Sequence, residues 1–499
     1  MEKIEKIKNY IKLLVTDKKL YIYGIITLAF FGIFCHMQFA PDTYSVLAKS
    51  AKEITLHFFS CGRFVTGIFI YIFKAKTNIG NDKLYYISYS LAMIFFILSL
   101  YKLDKIISKE IKNRYGTVIT IAVMIILNVF SFEMFLYIEK GIMVLSVFLC
   151  ILALEQVIRF FNGKKSGIIW GLLFMFIANC CYQGNVGIFL SIAIVFAMKY
   201  SYNIKKFIIN NIVIGVVYAI PAGLNFLLIK LLYVNNRVKG DIVFNESLKK
   251  VIDGTERMIV NNYGLLPKRL FLSIIIIVSI YGLFKLVTSK YSIKKKAVIA
   301  FSYVYLTIGT LVVTVLPQFM QSTASIWFVV RSSYPMGCII GTLLLNTYIY
   351  FNEDIKYSGK MFTIIVSIVL MLMQFISFNR FAVDNYIGNY VDREVSLRIS
   401  DIVYAYETTT GNTVDKVAIY ADSGIQYSYD KIKVSGDMNI KAYSIEWSTM
   451  SILKFYIGHD LKSAECDKEI EEYFKERNWT SFSQEQIIFK DNTMHICLY

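Results

Sequence analysis

Apolar stretches of about 17 to 22 residues recur along the chain, separated by short loops crowded with Lys and Arg. As helices, such stretches cross the roughly 30 Å of hydrocarbon in a bilayer, and few other folds satisfy so many of them at once. A mean hydropathy of +0.52 and a hydrophobic share of 56% agree, so the sequence predicts a polytopic α-helical membrane protein. The first stretch follows lysines at 3, 6, 8, 12, 18 and 19 and precedes no small-residue cleavage site, so it is expected to stay as the first span.

A formal net charge of +17 would suggest nucleic acid as a partner in a soluble protein. Its distribution argues otherwise. Residues 380–499 hold 13 Lys+Arg against 19 Asp+Glu, so the basic excess lies wholly in the preceding membrane part, where short cytoplasmic loops collect cations. No nucleic-acid partner is expected; the bilayer is.

Placing the basic loops 102–115, 159–166, 199–206 and 288–296 on the cytoplasmic side, with 351–360 and the N-terminus, gives a consistent topology. Spans are expected near 20–39, 84–101, 116–132, 140–158, 167–182, 184–198, 207–232, 268–287, 297–316, 328–350 and 361–379, about eleven transmembrane helices. The apolar run "FVTGIFIYIF" (64–73) is short for a span and would invert the topology, so it reads as a helix on the outer face. Residues 1–379 thus form a membrane domain with a first external loop at 36–83. Residues 380–499 read as a small extracytoplasmic α/β domain: a polar helix (384–408), the strand "KVAIYAD" (416–422), two further helices, and a hairpin turning at Asp491-Asn492.

Most of the eight cysteines lie in or beside apolar runs and behave as small hydrophobes. Cys466 and Cys497 fall in the tail, where spacing alone leaves a disulfide open. The cysteines and His36, His57, His459 and His495 show no metal-ligand spacing, so no metal is expected.

The candidates for chemistry gather on the expected outer side. In "APDTYSVLAKSAKEITLHFFSCGRF" (40–64), Leu47, Ala51, Ile54 and Phe58 share one face of an interfacial helix over 44–60. Asp42 at its start has two readings, a helix cap or a general base held at the membrane surface. Arg63 either snorkels or binds a lipid phosphate. Glu133 reads as a solvated turn residue, Glu139 as a cavity candidate, and Tyr182 and Gln183 of "CCYQGN" as hairpin residues or contacts to sugar hydroxyls. Arg331, near a span start, follows Gln318, Gln321 and Trp327, and an arginine there needs a cavity or a partner. No phosphate-cradling loop, dinucleotide fingerprint, nucleophile elbow or zinc-protease helix occurs, so energy for a reaction has to arrive with an activated lipid.

The order of these features resembles the type II Gtr family of membrane glucosyltransferases, among the GT-C glycosyltransferases: "APDTYS" after the first span, Gly62-Arg63, "FEMFLYIEKGIMVLSVFL", "CCYQGNVGIFLSI", then a tail with "KVAIYAD" and a final hydrophobic strand. The resemblance spans nearly the whole chain. It implies a GT-C-like membrane domain in a bacterial cytoplasmic membrane, with a polyprenyl-phosphate-linked glucose or related hexose as donor and a surface or wall polysaccharide as acceptor. It implies Asp42 as base, Arg63 at the donor phosphate, Tyr182 and Gln183 in the cavity, and no cofactor beyond the lipid-linked donor; from their own places on the outer side, Arg331 is a second candidate for the phosphate and Glu139, Gln318 and Gln321 are further cavity candidates. Family members often carry two adjacent acids where this chain has Pro41-Asp42, which leaves a single carboxylate and inverting displacement. Two other readings remain beside it, a lipid-sugar flippase and a polysaccharide polymerase or ligase.

Overall fold

The computed structural model describes residues 16–77, 79–111, 115–232, 243–319, 322–353, 355, 357–421 and 439–498. The N-terminal lysines through Lys12, the loop residues Lys112 and Arg114, Gln321, Asp422 and Tyr499 lie outside the described residues. The α-helices of seven residues or more, in chain order, are α1 (Lys18–Phe31), α2 (Pro41–Leu47), α3 (Ala51–Ser60), α4 (Phe64–Ile70), α5 (Asn81–Glu110), α6 (Tyr115–Ile126), α7 (Lys140–Phe161), α8 (Ser166–Cys181), α9 (Gly187–Lys199), α10 (Ile204–Leu232), α11 (Phe244–Ile259), α12 (Leu270–Thr288), α13 (Ile293–Phe319), α14 (Ile339–Phe351), α15 (Tyr357–Thr410), α16 (Glu446–Ile457) and α17 (Lys468–Lys475). The strands are β1 (Lys416–Ala421), β2 (Lys462–Ser463), β3 (Ile487–Lys490) and β4 (Thr493–Leu498). The chain divides into two compact units, one of residues 1–35, 55–135 and 139–378, the other of 36–54, 136–138 and 379–499.

In the first unit, among the described residues, seven helices are long and apolar enough to cross a membrane: α1 with the turn after it, α5, α7, α10, α12, α13 and α15. Apolar side chains stand exposed along α10 (Ile212, Ile220, Leu224), α12 (Ile276, Ile280, Phe284) and α13 (Val304, Ile308), a surface that water would penalise and lipid accepts. Inside, α7 is buried along nearly its whole length between α5 and α8. Gly141 permits the close approach to α5, since a Cβ there would sit 2.7 Å from the Ser88 carbonyl oxygen. At the other end of α5, buried Asp104 accepts from Lys19 Nζ (2.6 Å) and the Tyr23 hydroxyl (2.7 Å), fastening α1.

Every expected span contains a helix, but several differ from expectation. α6 stops at Ile126 instead of reaching 132, because Asn128 turns its side chain on the local backbone: Nδ2 donates to Ile125 O (3.0 Å) and Oδ1 accepts from Phe130 N (3.0 Å). The span expected at 328–350 becomes α-helical only from Tyr334, after a 3₁₀ turn at Val330–Ser333, and Pro335 occupies a first-turn position that needs no N–H. The single helix expected over 44–60 is two. Ser50 and Glu53 form a reciprocal cap, with Glu53 Oε2 accepting from Ser50 N (2.9 Å) and Ser50 Oγ from Glu53 N (3.3 Å), so α3 starts afresh. The 64–73 segment is helical, α4 running into a π-helical turn at Tyr71–Lys76.

The second unit centres on a four-stranded sheet of order β2-β1-β4-β3, in which β1 runs parallel to β2 and β4, and β3 and β4 form the expected hairpin. Asp491 takes φ +52° at its turn. The polar end of α15 packs on this sheet through Tyr406, which stacks on Phe489 at 4.0 Å. α2 belongs to this unit and lies against α16, with Tyr44 edge-on to Phe455 at 5.8 Å and Ser448 Oγ donating to Pro41 O at 3.5 Å. Asn389 of α15 fixes the strand-like approach to α2, accepting from Phe39 N (2.6 Å) and donating to Phe39 O (3.0 Å).

Candidate functional site

In the first unit the site grows out of the end of α3. Arg63 N donates to Phe58 O (2.8 Å) and Gly62 N to Phe59 O (2.9 Å), the paired bonds that close a helix through a left-handed residue, here Gly62 at φ +72°. Glycine is required, since a Cβ would lie 2.4 Å from Ile229 Cδ1 and 2.6 Å from Asn225 Oδ1. The carbonyls left over at the helix end find side-chain amides: Gln183 Nε2 donates to Cys61 O (3.0 Å) and Asn225 Nδ2 to Gly62 O (2.8 Å).

Arg63 leaves this turn with its guanidinium 4.7 Å from the Tyr182 ring centroid and Nη1 3.4 Å from Glu139 Oε1. A second pair lies within the same electrostatic neighbourhood. Glu133 accepts from both the backbone N and Nη1 of Arg331, and the Tyr182 phenol feels Arg331, Arg63, Glu133 and Glu139 together. Glu133 is 2% exposed and Glu139 4%. Glu133 is thus no solvated turn residue: the 3₁₀ turn Phe132–Leu136 carries it inward, and Arg331 neutralises it.

Beside these pairs a cavity of about 350 Å³ opens between α8, α10 and α13. Gln183, Gln318, Asn179, Thr314 and Ser332 give it polar groups, Asn225 lines it with an amide already bonded to Gly62 O, and Phe226, Ile229 and Val313 make it apolar elsewhere. Gln318 Oε1 also accepts from Trp327 N at 3.4 Å. Pro221 and Pro317 interrupt the bonding of α10 and α13 at this level, and Pro317 lines the cavity. The lining carries no charge; two of its members, Gln183 and Ser332, directly follow Tyr182 and Arg331 in the chain. Such a combination holds a hydroxyl-rich group by neutral amides and an adjoining anion by arginine.

The structure therefore brings Arg63, Glu139, Tyr182, Gln183, Gln318 and Arg331 into one unit, most of them within one connected set of contacts. Gln321 is outside the described residues. Sequence reading missed Asn179 and Asn225, whose signal was a buried amide within an apolar run, "FIANCC" and "AGLNFLL".

Asp42 lies in the second unit, half-buried in the first turn of α2. Ala40 occupies the cap position, so neither Asp42 nor Thr43 is the cap residue; Thr43 Oγ1 instead donates to Leu136 O at 3.4 Å. Cys466 and Cys497 are not joined in a disulfide. Among the described residues no group of three His, Cys, Asp or Glu is placed to hold a metal ion. Compared with known proteins, the chain matches no family model and no curated sequence.

Proposed function

We propose that this helical membrane protein is a GT-C-like inverting glycosyltransferase that moves glucose or a related hexose from a polyprenyl-phosphate donor to a surface or wall polysaccharide. The observation that carries the reading is the uncharged, amide-lined cavity with the Arg63–Glu139 and Arg331–Glu133 pairs beside it. A polyprenyl-phosphate sugar needs both kinds of contact: neutral donors and acceptors for its hydroxyls, and a guanidinium for its phosphate. Under this reading Arg63 and Arg331 stabilise negative charge on the departing lipid phosphate as the anomeric bond breaks. Asp42 takes the proton of the attacking acceptor hydroxyl, an assignment that rests on its place just after the first span. The reaction belongs on the outer face of the cytoplasmic membrane, with about eleven spans and the tail outside.

A lipid-sugar flippase is the second reading, favoured by the prolines inside α10 and α13, because interrupted helices beside a cavity are a transporter feature. The two separate in one preparation. Full-length protein in proteoliposomes is supplied with radiolabelled polyprenyl-phosphate glucose and a cell-envelope polysaccharide fraction. Label moving into polymer supports the transferase, label that crosses the bilayer and stays on lipid supports the flippase, and neither movement rejects both.

A further inference from the structure

Asn225 lines the cavity, yet its amide is taken up by the turn that presents Arg63 and by the neighbours of that turn. Nδ2 donates to Gly62 O (2.8 Å) and lies 3.5 Å from Cys180 Sγ, while Oδ1 accepts from Gln183 Nε2 (3.3 Å), which itself holds Cys61 O (3.0 Å). The side chain is 3% exposed. Two consecutive carbonyls at the end of α3 are thus held by two amides that also hold each other, one from α10 and one from the hairpin after α8.

The same hairpin supplies Tyr182, on whose ring the Arg63 guanidinium rests. Arg63 Nε is buried without a hydrogen-bond partner among the described residues, so the side chain's position is set by the Tyr182 ring, the Glu139 carboxylate and the backbone it springs from. The backbone is the part Asn225 controls. Gly62, with its left-handed φ and no side chain, has no packing of its own to resist a shift of that peptide, and a Cβ would collide with Asn225 itself.

We propose that Asn225 is a positioning residue: with Gln183 it forms an amide clamp on Cys61-Gly62 that aims the Arg63 guanidinium, and so sets affinity for the phosphate-bearing donor. Its effect on transfer rests on the transferase reading; its effect on Arg63 does not. Releasing a buried carbonyl from its donor shifts such an equilibrium on the order of tenfold.

The test has two readouts on full-length protein. The first is phenylglyoxal modification of Arg63, followed by peptide mass spectrometry, with Arg398 of α15 as internal reference. In Asn225→Leu, Arg63 is expected to react several-fold faster than in wild type while Arg398 is unchanged; an unchanged Arg63 rate overturns the clamp, whatever the protein's activity. The second is donor kinetics: Asn225→Leu should raise KM for polyprenyl-phosphate glucose about tenfold with kcat held within about twofold. A fall in kcat at constant KM overturns the positioning role. Gln183→Leu reads the clamp from its other half, so if Asn225→Leu fails to accumulate, the Arg63 rate in Gln183→Leu decides. Inactive wild type with a faster Arg63 in either variant leaves the clamp standing and removes the transferase reading instead.

Discussion

Asp392 offers a quantitative test of the second unit. It lies in the polar part of α15, beyond the apolar segment that ends near Phe378, and is 1% exposed. Oδ2 accepts from Ala442 N at 2.7 Å, while Oδ1 has no hydrogen-bond partner among the described residues. Burial pushes its carboxyl up from 3.8 to about 7, against the opposing pull of Ala442 N–H and Lys441. A carboxyl that holds its proton more tightly when folded loses stability as pH rises from the unfolded value through the folded one, here from about 4 to about 7. Some three pH units at about 1.4 kcal/mol each give about 4 kcal/mol. Lys441 acts in the opposite sense. Burial lowers it to about 8, so its part of the stability is regained only above that pH, and the unit is least stable between about 7 and 8. Burial also raises the nearby Tyr44 and Tyr456 phenols, which keeps both neutral over this range. Amide exchange of the 439–445 segment, corrected for intrinsic rates, should show protection at Ala442 falling by up to about a thousandfold from pH 4 to pH 7 in wild type. In Asp392→Asn, which keeps an acceptor for Ala442 but has no charge to bury, protection should be flat and exceed wild type at pH 8. Wild-type protection that is flat or rises across this range refutes the reasoning.

Glu133→Gln should leave Arg331 poorly compensated and cost about 3–5 kcal/mol, read as lower thermal stability in detergent, whereas Glu133→Leu with Arg331→Met should fold near wild type yet lack transfer. Gly62→Ala should lower the thermal midpoint, since a left-handed φ costs about 1–2 kcal/mol in alanine even before the clash with Ile229; an unchanged midpoint would contradict the turn. Exposed Cys466 should react with maleimide in the native protein while Cys497, 1% exposed, stays unmodified until denaturation. A membrane-impermeant maleimide added to intact cells should label Cys466 if the tail is extracytoplasmic, and fail to label it if the tail faces inward.

The helices were legible because lipid-facing helices leave an unbroken apolar record, and the tail hairpin because Asp491-Asn492 separates two alternating runs. What escaped was local side-chain chemistry. Asn128 ends α6 and Ser50 with Glu53 splits the external helix through bonds of three residues or fewer in span, invisible to an apolar average. The Glu133–Arg331 pair joins residues 198 positions apart, and no local pattern announces it. The parallel pairing of β1 with β4 is likewise a long-range choice, made by burial of Val417, Met494 and Ile496 on the sheet. Arg63 and Gln183 stood out in sequence as polar groups beside spans, but their connection through Asn225 exists only in three dimensions.

The central claim is tested most directly by comparing membranes that hold equal amounts of wild type and Asp42→Asn, each given radiolabelled polyprenyl-phosphate glucose and a cell-envelope polysaccharide fraction. The account predicts transfer of label to polymer by wild type and a loss of roughly a hundredfold or more in the variant, as expected when a general base is removed. Equal transfer by the two would contradict it.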